Sequence, residues 1–390
     1  MVKINKYLFN LNNANSFYEI SKDINTFKKN NPDINVLSLG VGDVSRPIVK
    51  PIIESMHKAV DELSDMKTFK GYGASNGYDF LKSKILEEEY KPFNFSSDEI
   101  YISNGVKTDI SNILELFDIN SKILISNPLY PIYKDGATCM SRNITFIETD
   151  DSFIPKIPKE KYDIIYLCSP NNPTGICYKY KELEKWVKYA IKNNSVILYD
   201  NVYSSFIRSK DAVKSIYEIK DSKKVAIEFK SFSKNASFTG VRCSYYIIPN
   251  EIYDGVNDLW KRRTINRFNG ADYIAQRGAY ASYSKESKAL IKKNIEYYLD
   301  NSKFLINSFN DMGFTTFGGI DSPFIWVKIK DQMTSMEFFN FMLKKLNIII
   351  IPGILFGKKG DSYFRVSALA PKEVIKEAVE RMTKYYEENK

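Results

Sequence analysis

The chain has 390 residues, of which 44% are hydrophobic and 26% are charged, a composition typical of a globular protein with more than one domain-sized unit. Its net charge is +9, but 47 Asp and Glu residues lie among the 56 Lys and Arg residues without a dense basic run, so we expect no nucleic-acid partner. The single histidine, His57, excludes a multi-histidine metal site within one chain and leaves a Ser-His-Asp triad only one candidate base. We therefore expect no metal, and we expect acid–base chemistry to come mainly from Lys, Asp, Glu, Tyr or Cys.

The termini and cysteines give no sign of export or membrane insertion. The first fifteen residues are too polar for a signal peptide. The longest apolar run, 348–356, is interrupted by Pro352 and Gly353 and is far shorter than the ~20 residues of a membrane span. The four cysteines form no CxxC pair. We expect a cytoplasmic protein with reduced thiols.

Along the chain, a helix is predicted first around His57. The apolar face of that helix is formed by Ile52, Ile53, Met56, Val60 and Leu63. His57 lies beside this face, so we interpret it as a helix-surface residue.

Strands and helices then alternate. Short β-branched or aromatic runs predict strands at 99–103, 122–126, 143–147, 163–168, 195–199, 224–229 and 244–248. Segments with helical spacing, such as 181–193, lie between several of them. The near-continuous apolar strands predict an α/β fold with a mostly parallel sheet that is covered on both faces.

From about residue 285 the pattern changes to that of a smaller α+β unit. It predicts a long helix at 285–312, helices near 334–345 and from Pro371, and apolar strands at 324–329, 348–351 and 362–366. We therefore predict an N-terminal arm and part of the small domain at 1–47, a large domain at 48–284, and a small C-terminal domain at 285–390.

Polar side chains follow three neighbouring strands of the predicted sheet. Asn172 lies in the turn NNPTG, Asp200 ends an apolar strand with Tyr203 three residues later, and Lys234 lies in SFSKNASFTGVRC. Ligands bind at the carboxyl ends of strands in such sheets, and a buried carboxylate needs a partner. Pyridoxal phosphate needs a lysine for a Schiff base, a carboxylate for its pyridine nitrogen, donors to its ring oxygen and an anion site. This set of residues matches that cofactor.

The order NPTG, D-x-x-Y, SFSK and an arginine eight residues after the lysine resembles the fold-type I pyridoxal-phosphate aminotransferases. Longer segments resemble the LL-diaminopimelate aminotransferase family over essentially the whole chain: LSLGVGDVSRP, TFKGYGASNGYDFL, YISNGVKTDI, NPLYPIY, FKSFSKNASFTGVRC and FNGADYIAQRGA. The resemblance implies a transaminase that exchanges an amino group between an amino acid and a 2-oxo acid, with 2-oxoglutarate and glutamate as one pair.

The resemblance also assigns the residues that face the cofactor ring. Lys234 would bind the cofactor covalently and carry the proton, and Asp200 would pair with the pyridine nitrogen. Asn172 and Tyr203 would hold the ring oxygen, and Tyr130 would stack on the ring face.

The cofactor phosphate is assigned to the loop SNGVKTD and to the segment around the lysine. The assigned residues are Val106, Lys107, Ser231, Ser233 and Arg242.

The substrate would be held partly by a second copy of the chain. Arg365 would bind the substrate α-carboxylate, with Gly40, Lys107, Tyr130 and Asn172 nearby. The partner subunit would donate two matching residues, Tyr72 to the phosphate and Asn269 to the substrate. The resemblance therefore implies a homodimer with shared active sites.

The substrate pocket departs from the family pattern at several positions. Asn15 stands where the family has a tyrosine, and Ser75 stands where it has a glutamate that reads the distal ammonium of the substrate. The family's Asn-x-Pro is Asp321-Ser322-Pro323, and its SGFG is ILFG at 354–357. A buried ammonium that loses its carboxylate partner is costly, so these changes favour a shifted substrate.

Three functions remain open from the sequence. The first is an aminotransferase of the diaminopimelate type, or one of the same family with another amino acid. The second is a pyridoxal-phosphate lyase or decarboxylase on the same scaffold. The third is a non-enzymatic cofactor-binding regulator, which would be expected to carry a DNA-binding domain for which the chain has no room.

Overall fold

The computed structural model describes residues 2–11, 16–40 and 42–388. Within these residues the α-helices are α1 (Phe17–Asn30), α2 (Lys50–Ser64), α3 (Asp79–Glu89), α4 (Val106–Asn112), α5 (Ile132–Cys139), α6 (Tyr180–Asn193), α7 (Phe232–Asn235), α8 (Val256–Arg267), α9 (Tyr273–Ala281), α10 (Lys285–Asp311), α11 (Ser335–Leu346) and α12 (Lys372–Glu388). The strands are β1 (Leu37–Ser38), β2 (Ile100–Ser103), β3 (Ile123–Asn127), β4 (Ile144–Glu148), β5 (Ile164–Cys168), β6 (Val196–Asp200), β7 (Ala226–Ser231), β8 (Ser244–Ile247), β9 (Thr315–Gly318), β10 (Phe324–Lys328), β11 (Ile348–Ile349), β12 (Ile351–Pro352) and β13 (Tyr363–Ser367).

The seven strands predicted between residues 99 and 248 form one sheet, in the order β2-β8-β7-β6-β5-β3-β4. The pairs β4–β3, β3–β5, β5–β6 and β6–β7 are parallel, whereas β8 runs antiparallel to both β7 and β2. The prediction of a mostly parallel central sheet flanked by helices is confirmed.

Both faces of this sheet are buried except at the edge strand β4, which is partly exposed, and this burial explains the largely apolar sequences of the other strands. Successive residues of β6 point to opposite sides: Ile197 packs into the hydrophobic core that contains Trp186 of α6, and Leu198 into the core that contains Trp260 of α8. Because side chains alternate along a strand, a strand covered on both faces needs apolar residues at every position.

A second, four-stranded antiparallel sheet has the order β12-β13-β10-β9. Residues of α10, α11 and α12 share a hydrophobic core with its strands. The short strand β1 pairs in parallel with β11, and Leu37 and Ile20 from the N-terminal segment are buried in the same core.

The helix around His57 differs from the prediction at one position. The placement of Val60 on the apolar face is wrong, since Val60 is 49% exposed, whereas its neighbour Ala59 is fully buried. Helix α2 packs closely on α9, where a Cβ on Gly278 would press on Met56, so a small residue suits that contact. His57 is exposed, as interpreted. Among the described helices, none combines the length and the apolar character that crossing a bilayer requires.

Candidate active site

The motif residues meet at one edge of the large sheet. Strands β5, β6 and β7 are parallel neighbours, so their carboxyl ends lie side by side. Asn172 follows β5, Asp200 is the last residue of β6, and Lys234 lies in α7 directly after β7. This edge is where the sequence predicted the ligand.

A cavity of about 420 Å³ opens at this edge. The predicted residues that line it are Val106, Lys107, Tyr130, Asn172, Asp200, Tyr203, Ser231, Ser233, Lys234 and Arg242. A second cavity, of about 490 Å³, lies beside α12 and is lined by none of them. The chemistry-bearing residues therefore belong to the first cavity.

Asp200 presents an acceptor without a partner. Its side chain is buried, and its Oδ2 accepts a hydrogen bond of 2.7 Å from the hydroxyl of Tyr133. Its Oδ1 is buried and has no hydrogen-bond partner within the described structure. Burial raises the pKa of the Asp200 carboxyl to about 6. An N–H donor is what this oxygen lacks, and the ring nitrogen of pyridoxal phosphate supplies one, so the site fits the expected cofactor.

Lys234 is a half-buried amine that lines the same cavity as Asp200. Its Nζ donates a hydrogen bond to the backbone oxygen of Gly42. Burial lowers the pKa of Lys234 to about 8; Arg365 and Arg242 act in the same direction, while Asp43 opposes them. A lysine with a pKa this far below its ordinary value can reach its neutral, nucleophilic form near neutral pH.

Hydroxyl and guanidinium groups form an anion cup at one end of the cavity. The Oγ of Ser231 accepts from the backbone N–H of Ser233 at 3.1 Å, and the Nη1 of Arg242 donates to the Oγ of Ser233 at 3.2 Å. The guanidinium of Arg242 lies against Gly105, which has a φ of 145° and precedes α4. Only glycine leaves room for the arginine there, so the loop and the arginine close the cup together.

Arg365 is a buried cation that does not itself line the cavity but lies next to it, with its Nη2 3.9 Å from the position that a Cβ on Gly42 would take. Its Nη1 donates to the Oδ1 of Asn172 at 2.7 Å and its Nη2 to the backbone oxygen of Gly40 at 2.8 Å. Its guanidinium lies between the rings of Phe324 and Phe356, with centroids 4.4 and 5.1 Å away. Its Nε is buried without a partner in the described structure. The amide of Asn172 turns its oxygen to Arg365, which leaves its NH₂ group free to donate.

Aromatic rings form the remaining walls. The ring of Tyr130 meets Tyr133 edge to face at 5.9 Å, and Tyr203 is buried against Phe324 at 5.1 Å. Burial raises the pKa of Tyr130 and that of Tyr203, so both hydroxyls keep their protons and can donate hydrogen bonds.

The two residues predicted to act across a dimer, Tyr72 and Asn269, and the predicted substrate residue Ser75 lie outside this cavity. Tyr72 is 90% exposed, Asn269 is exposed, and Ser75 is half-buried. Their two loops are in contact, since a Cβ on Gly270 would stand 2.7 Å from the backbone oxygen of Ala74. All three residues thus share one surface. Asn15 lies outside the described residues.

Asp321 has its own partners. Its Oδ1 accepts from the backbone N–H groups of Arg208 and Ser209, at 2.5 and 2.8 Å. The side chain is buried and does not line the cavity. The structure therefore places Asp321 as a cap for the loop at Arg208 and Ser209.

Several cavity residues were missed from the sequence. Gly42 and Asp43 line the cavity, whereas the predicted Gly40 does not line it and accepts a hydrogen bond from Arg365. The only sequence signal was their position in LSLGVGDVSRP, after a two-residue strand. Tyr133 was also missed, although it lies in the same NPLYPIY segment as Tyr130.

Comparisons with known proteins agree with this geometry. A family model described as aminotransferase class I and II matches residues 34–382. The LL-diaminopimelate aminotransferase of Methanosphaera stadtmanae is 40% identical over 406 aligned residues, which cover 98% of this chain and 99% of the relative. That of Azobacteroides pseudotrichonymphae is 42% identical, with 99% of this chain and all of the relative covered.

A solved structure supports the same conclusion. The L,L-diaminopimelate aminotransferase from Chlamydomonas reinhardtii superposes with a TM-score of 0.93 at 34% sequence identity, covering 99% of both chains. The whole chain, including the segments that carry the cavity, thus has the same fold as that protein.

Proposed function

Because the chain belongs to the class I and II aminotransferases, it is a pyridoxal-phosphate-dependent transaminase, and we propose that it moves the amino group of LL-diaminopimelate to 2-oxoglutarate. Relatives with that activity in their names align over almost the whole chain at about 40% identity. The observation that carries the proposal is Arg365, a buried cation whose partners are neutral oxygens. It offers a site for the α-carboxylate of an amino acid beside the amine of Lys234.

We propose that the described residues hold pyridoxal phosphate in the following way. Asp200 would accept from the ring nitrogen, Asn172 and Tyr203 would donate to the ring oxygen, Tyr130 would pack against the ring, and Lys234 would bind the cofactor covalently. The phosphate is held by Val106, Lys107, Ser231, Ser233 and Arg242. When bound, the cofactor supplies an electron sink for the substrate's α-carbon.

The chain's own part in the reaction is to bind, orient and move a proton. Arg365 fixes the donor's carboxylate and so holds the Cα–H bond toward Lys234. The Nζ of Lys234 would accept the proton from Cα, a role that suits an amine whose pKa burial lowers to about 8. The backbone oxygen of Gly42 accepts a hydrogen bond from the same nitrogen and limits its orientation.

We propose a homodimer that shares its active sites. The stretch that carries Tyr72 exposes two further apolar side chains, Met66 and Phe69, at 98% and 61%. Large apolar side chains that cluster on a surface are typical of an interface. A mixture of Lys234→Ala and Tyr72→Ala proteins, each weak alone, should regain activity after subunit exchange, because one site of each hybrid carries neither change. Absence of any recovery would contradict shared sites.

A second candidate, an aminotransferase for another amino acid, is favoured by one observation. Ser75 replaces the family's glutamate, and the carboxylate of Asp321 is already bound to two backbone N–H groups. The described structure therefore offers Asp321 no role as a substitute for that glutamate. A donor with a neutral or aromatic side chain would avoid the missing charge pair.

The deciding experiment is a donor screen with 2-oxoglutarate that includes LL-diaminopimelate, glutamate and aromatic amino acids. Glutamate formation fastest with LL-diaminopimelate supports the first proposal, and a higher kcat/KM with another donor supports the second. Ammonia without glutamate would indicate a lyase and contradict both. The variant Ser75→Glu should raise kcat/KM for LL-diaminopimelate if the donor's distal ammonium lies at this position, with Ser75→Gln as the uncharged control.

We also propose the domain division 1–47, 48–284 and 285–390, which the separate hydrophobic cores of the two sheets support. We propose a cytoplasmic location, where the four cysteines, all free, would remain reduced.

A further inference from the structure

Tyr133 is a buried tyrosine that contacts the carboxylate of the site but is not among the residues that hold the cofactor. It lies in the first turn of α5, three residues after Tyr130. Its hydroxyl donates to the Oδ2 of Asp200 at 2.7 Å. Burial and the neighbouring Asp200 carboxylate raise the pKa of Tyr133 far above its ordinary value, so the hydroxyl keeps its proton and remains a donor.

The ring of Tyr133 is held by its neighbours. It stacks on Tyr166 of β5 at 5.0 Å, with 16° between the ring planes, and meets Tyr130 edge to face at 5.9 Å. The hydroxyl of Tyr166 is used elsewhere, donating to the backbone oxygen of Ile110 at 3.0 Å. Packing on two sides holds the ring so that the Tyr133 hydroxyl reaches Asp200, and the thiol of Cys168 also lies next to that hydroxyl.

The charge and orientation of the Asp200 carboxylate depend on the Tyr133 hydroxyl as a hydrogen-bond donor. Burial raises the pKa of its carboxyl, and among the described residues only the Tyr133 hydroxyl and the Val202 backbone amide act against that effect. An imidazole cannot replace the tyrosine, because the chain's single histidine, His57, lies on the exposed side of α2. The bond to Oδ2 also fixes the carboxylate plane, and so fixes where the unpaired Oδ1 points.

We propose that Tyr133 is a positioning residue for the transamination, whose hydroxyl turns and holds the Asp200 carboxylate so that Oδ1 receives the cofactor's ring nitrogen. The inference rests on the role given to Asp200 in the proposed function. Tyr133 itself touches neither substrate nor cofactor in this scheme and acts through Asp200 alone.

The test compares Tyr133→Phe with Tyr166→Phe in holoenzyme reconstituted with ¹⁵N-labelled pyridoxal phosphate. Both variants keep their ring and lose one buried hydroxyl, but only the first removes the bond to Asp200. The ¹⁵N chemical shift reports whether the ring nitrogen is protonated, independently of turnover. Tyr133→Phe should move this shift toward the unprotonated value, and Tyr166→Phe should leave it as in the wild type.

Binding and kinetics give a second readout. Loss of one charge-assisted hydrogen bond should weaken cofactor binding and lower kcat by about tenfold each, with little change in KM for the amino donor. In a double-mutant cycle, Tyr133→Phe should have no further effect on cofactor affinity in protein that carries Asp200→Asn.

The outcomes separate the inference from its premise. A protonated nitrogen in the wild type, with the same shift in Tyr133→Phe, would overturn the role of Tyr133 and leave that of Asp200 intact. An unprotonated nitrogen in the wild type would overturn the role of Asp200 and, with it, the inference. An equal loss in the presence and absence of Asp200→Asn would show that Tyr133 acts only through packing, which also overturns it.

Discussion

We expect Arg365 to be important for substrate binding but to contribute little to the stability of the fold. The perturbation is Arg365→Met, which keeps an unbranched side chain of similar length between the rings of Phe324 and Phe356. We expect the variant to remain about as stable as the wild type and to lose most of its activity.

The magnitude follows from the surroundings of the guanidinium. Burial lowers the pKa of Arg365 from its ordinary value to about 10, which corresponds to a cost of about 3 kcal/mol for keeping the cation inside. The bonds to Asn172 and Gly40 offset this by about 1 kcal/mol each, and the ring contacts by about 1 kcal/mol more. Because these effects nearly cancel, the free energy of unfolding should change by no more than about 1–2 kcal/mol.

The activity of Arg365→Met, unlike its stability, should fall strongly. Without Arg365 the substrate carboxylate enters a buried site with no charged partner, a loss of about 3–5 kcal/mol. We expect kcat/KM to fall by roughly two to three orders of magnitude for glutamate as well as for LL-diaminopimelate.

The assay combines urea unfolding at one fixed, saturating cofactor concentration with steady-state kinetics. Arg381→Met is the control, because Arg381 also binds backbone oxygens, those of Asn35 and Leu346, but lies away from the cavity. The control should lose stability and keep its kcat/KM. If Arg365→Met lowers the free energy of unfolding by 3 kcal/mol or more (roughly twice the change expected), the energetic reasoning is refuted. If its kcat/KM stays within about tenfold of the wild type, the carboxylate site is refuted.

Three further perturbations test other parts of the site. In cofactor-free protein, the rate of competitive acetylation of Lys234 should rise with pH to a midpoint of about 8, because burial disfavours its ammonium form. Exposed lysines have a midpoint of ~10.4. If Lys234 shared that midpoint, the expected effect of burial would be contradicted. Gly105→Ala should weaken cofactor binding about tenfold, because a Cβ would displace Arg242 and the φ of 145° disfavours residues other than glycine. Unchanged cofactor affinity in a fluorescence titration would contradict the proposed anion cup. Asp321→Ala should lower the free energy of unfolding by about 1–3 kcal/mol, because the loop at Arg208 loses its cap, without changing the ratio of kcat/KM between donors; a changed ratio would place Asp321 at the substrate.

Most of the fold followed from apolar patterns, and the exceptions have physical reasons. Most strands of the large sheet are largely apolar because both of their faces are covered, a signal that the sequence carries locally; the edge strand β4 is partly exposed. Strand β1 has only two residues and exists through its pairing with β11, more than three hundred positions away. Val60 fits the helical period of an apolar face, but only the position of α9 decides which side of α2 is covered.

The residues of the site also fall into two groups, those that local sequence patterns identify and those that they do not. Asn172, Asp200 and Lys234 could be brought together from sequence because parallel strands end at one edge. The contribution of Gly42 is a backbone oxygen, which has no residue signature, and the bond from Tyr133 to Asp200 depends on the stacking of α5 against β5. Such contacts join distant segments through backbone or ring geometry, which local patterns do not encode.

The bond between Arg365 and the backbone oxygen of Gly40 joins positions 325 residues apart, and it has a consequence for how the enzyme is made. A chain synthesised at ~5–20 residues per second needs roughly 15 to 65 seconds to add the second partner after the first. During that interval β1 also lacks β11, and the carboxylate site has no cation. The last strand of the large sheet ends at residue 247. A growing chain therefore contains all strands around the cofactor pocket well before it contains the arginine that binds the substrate carboxylate.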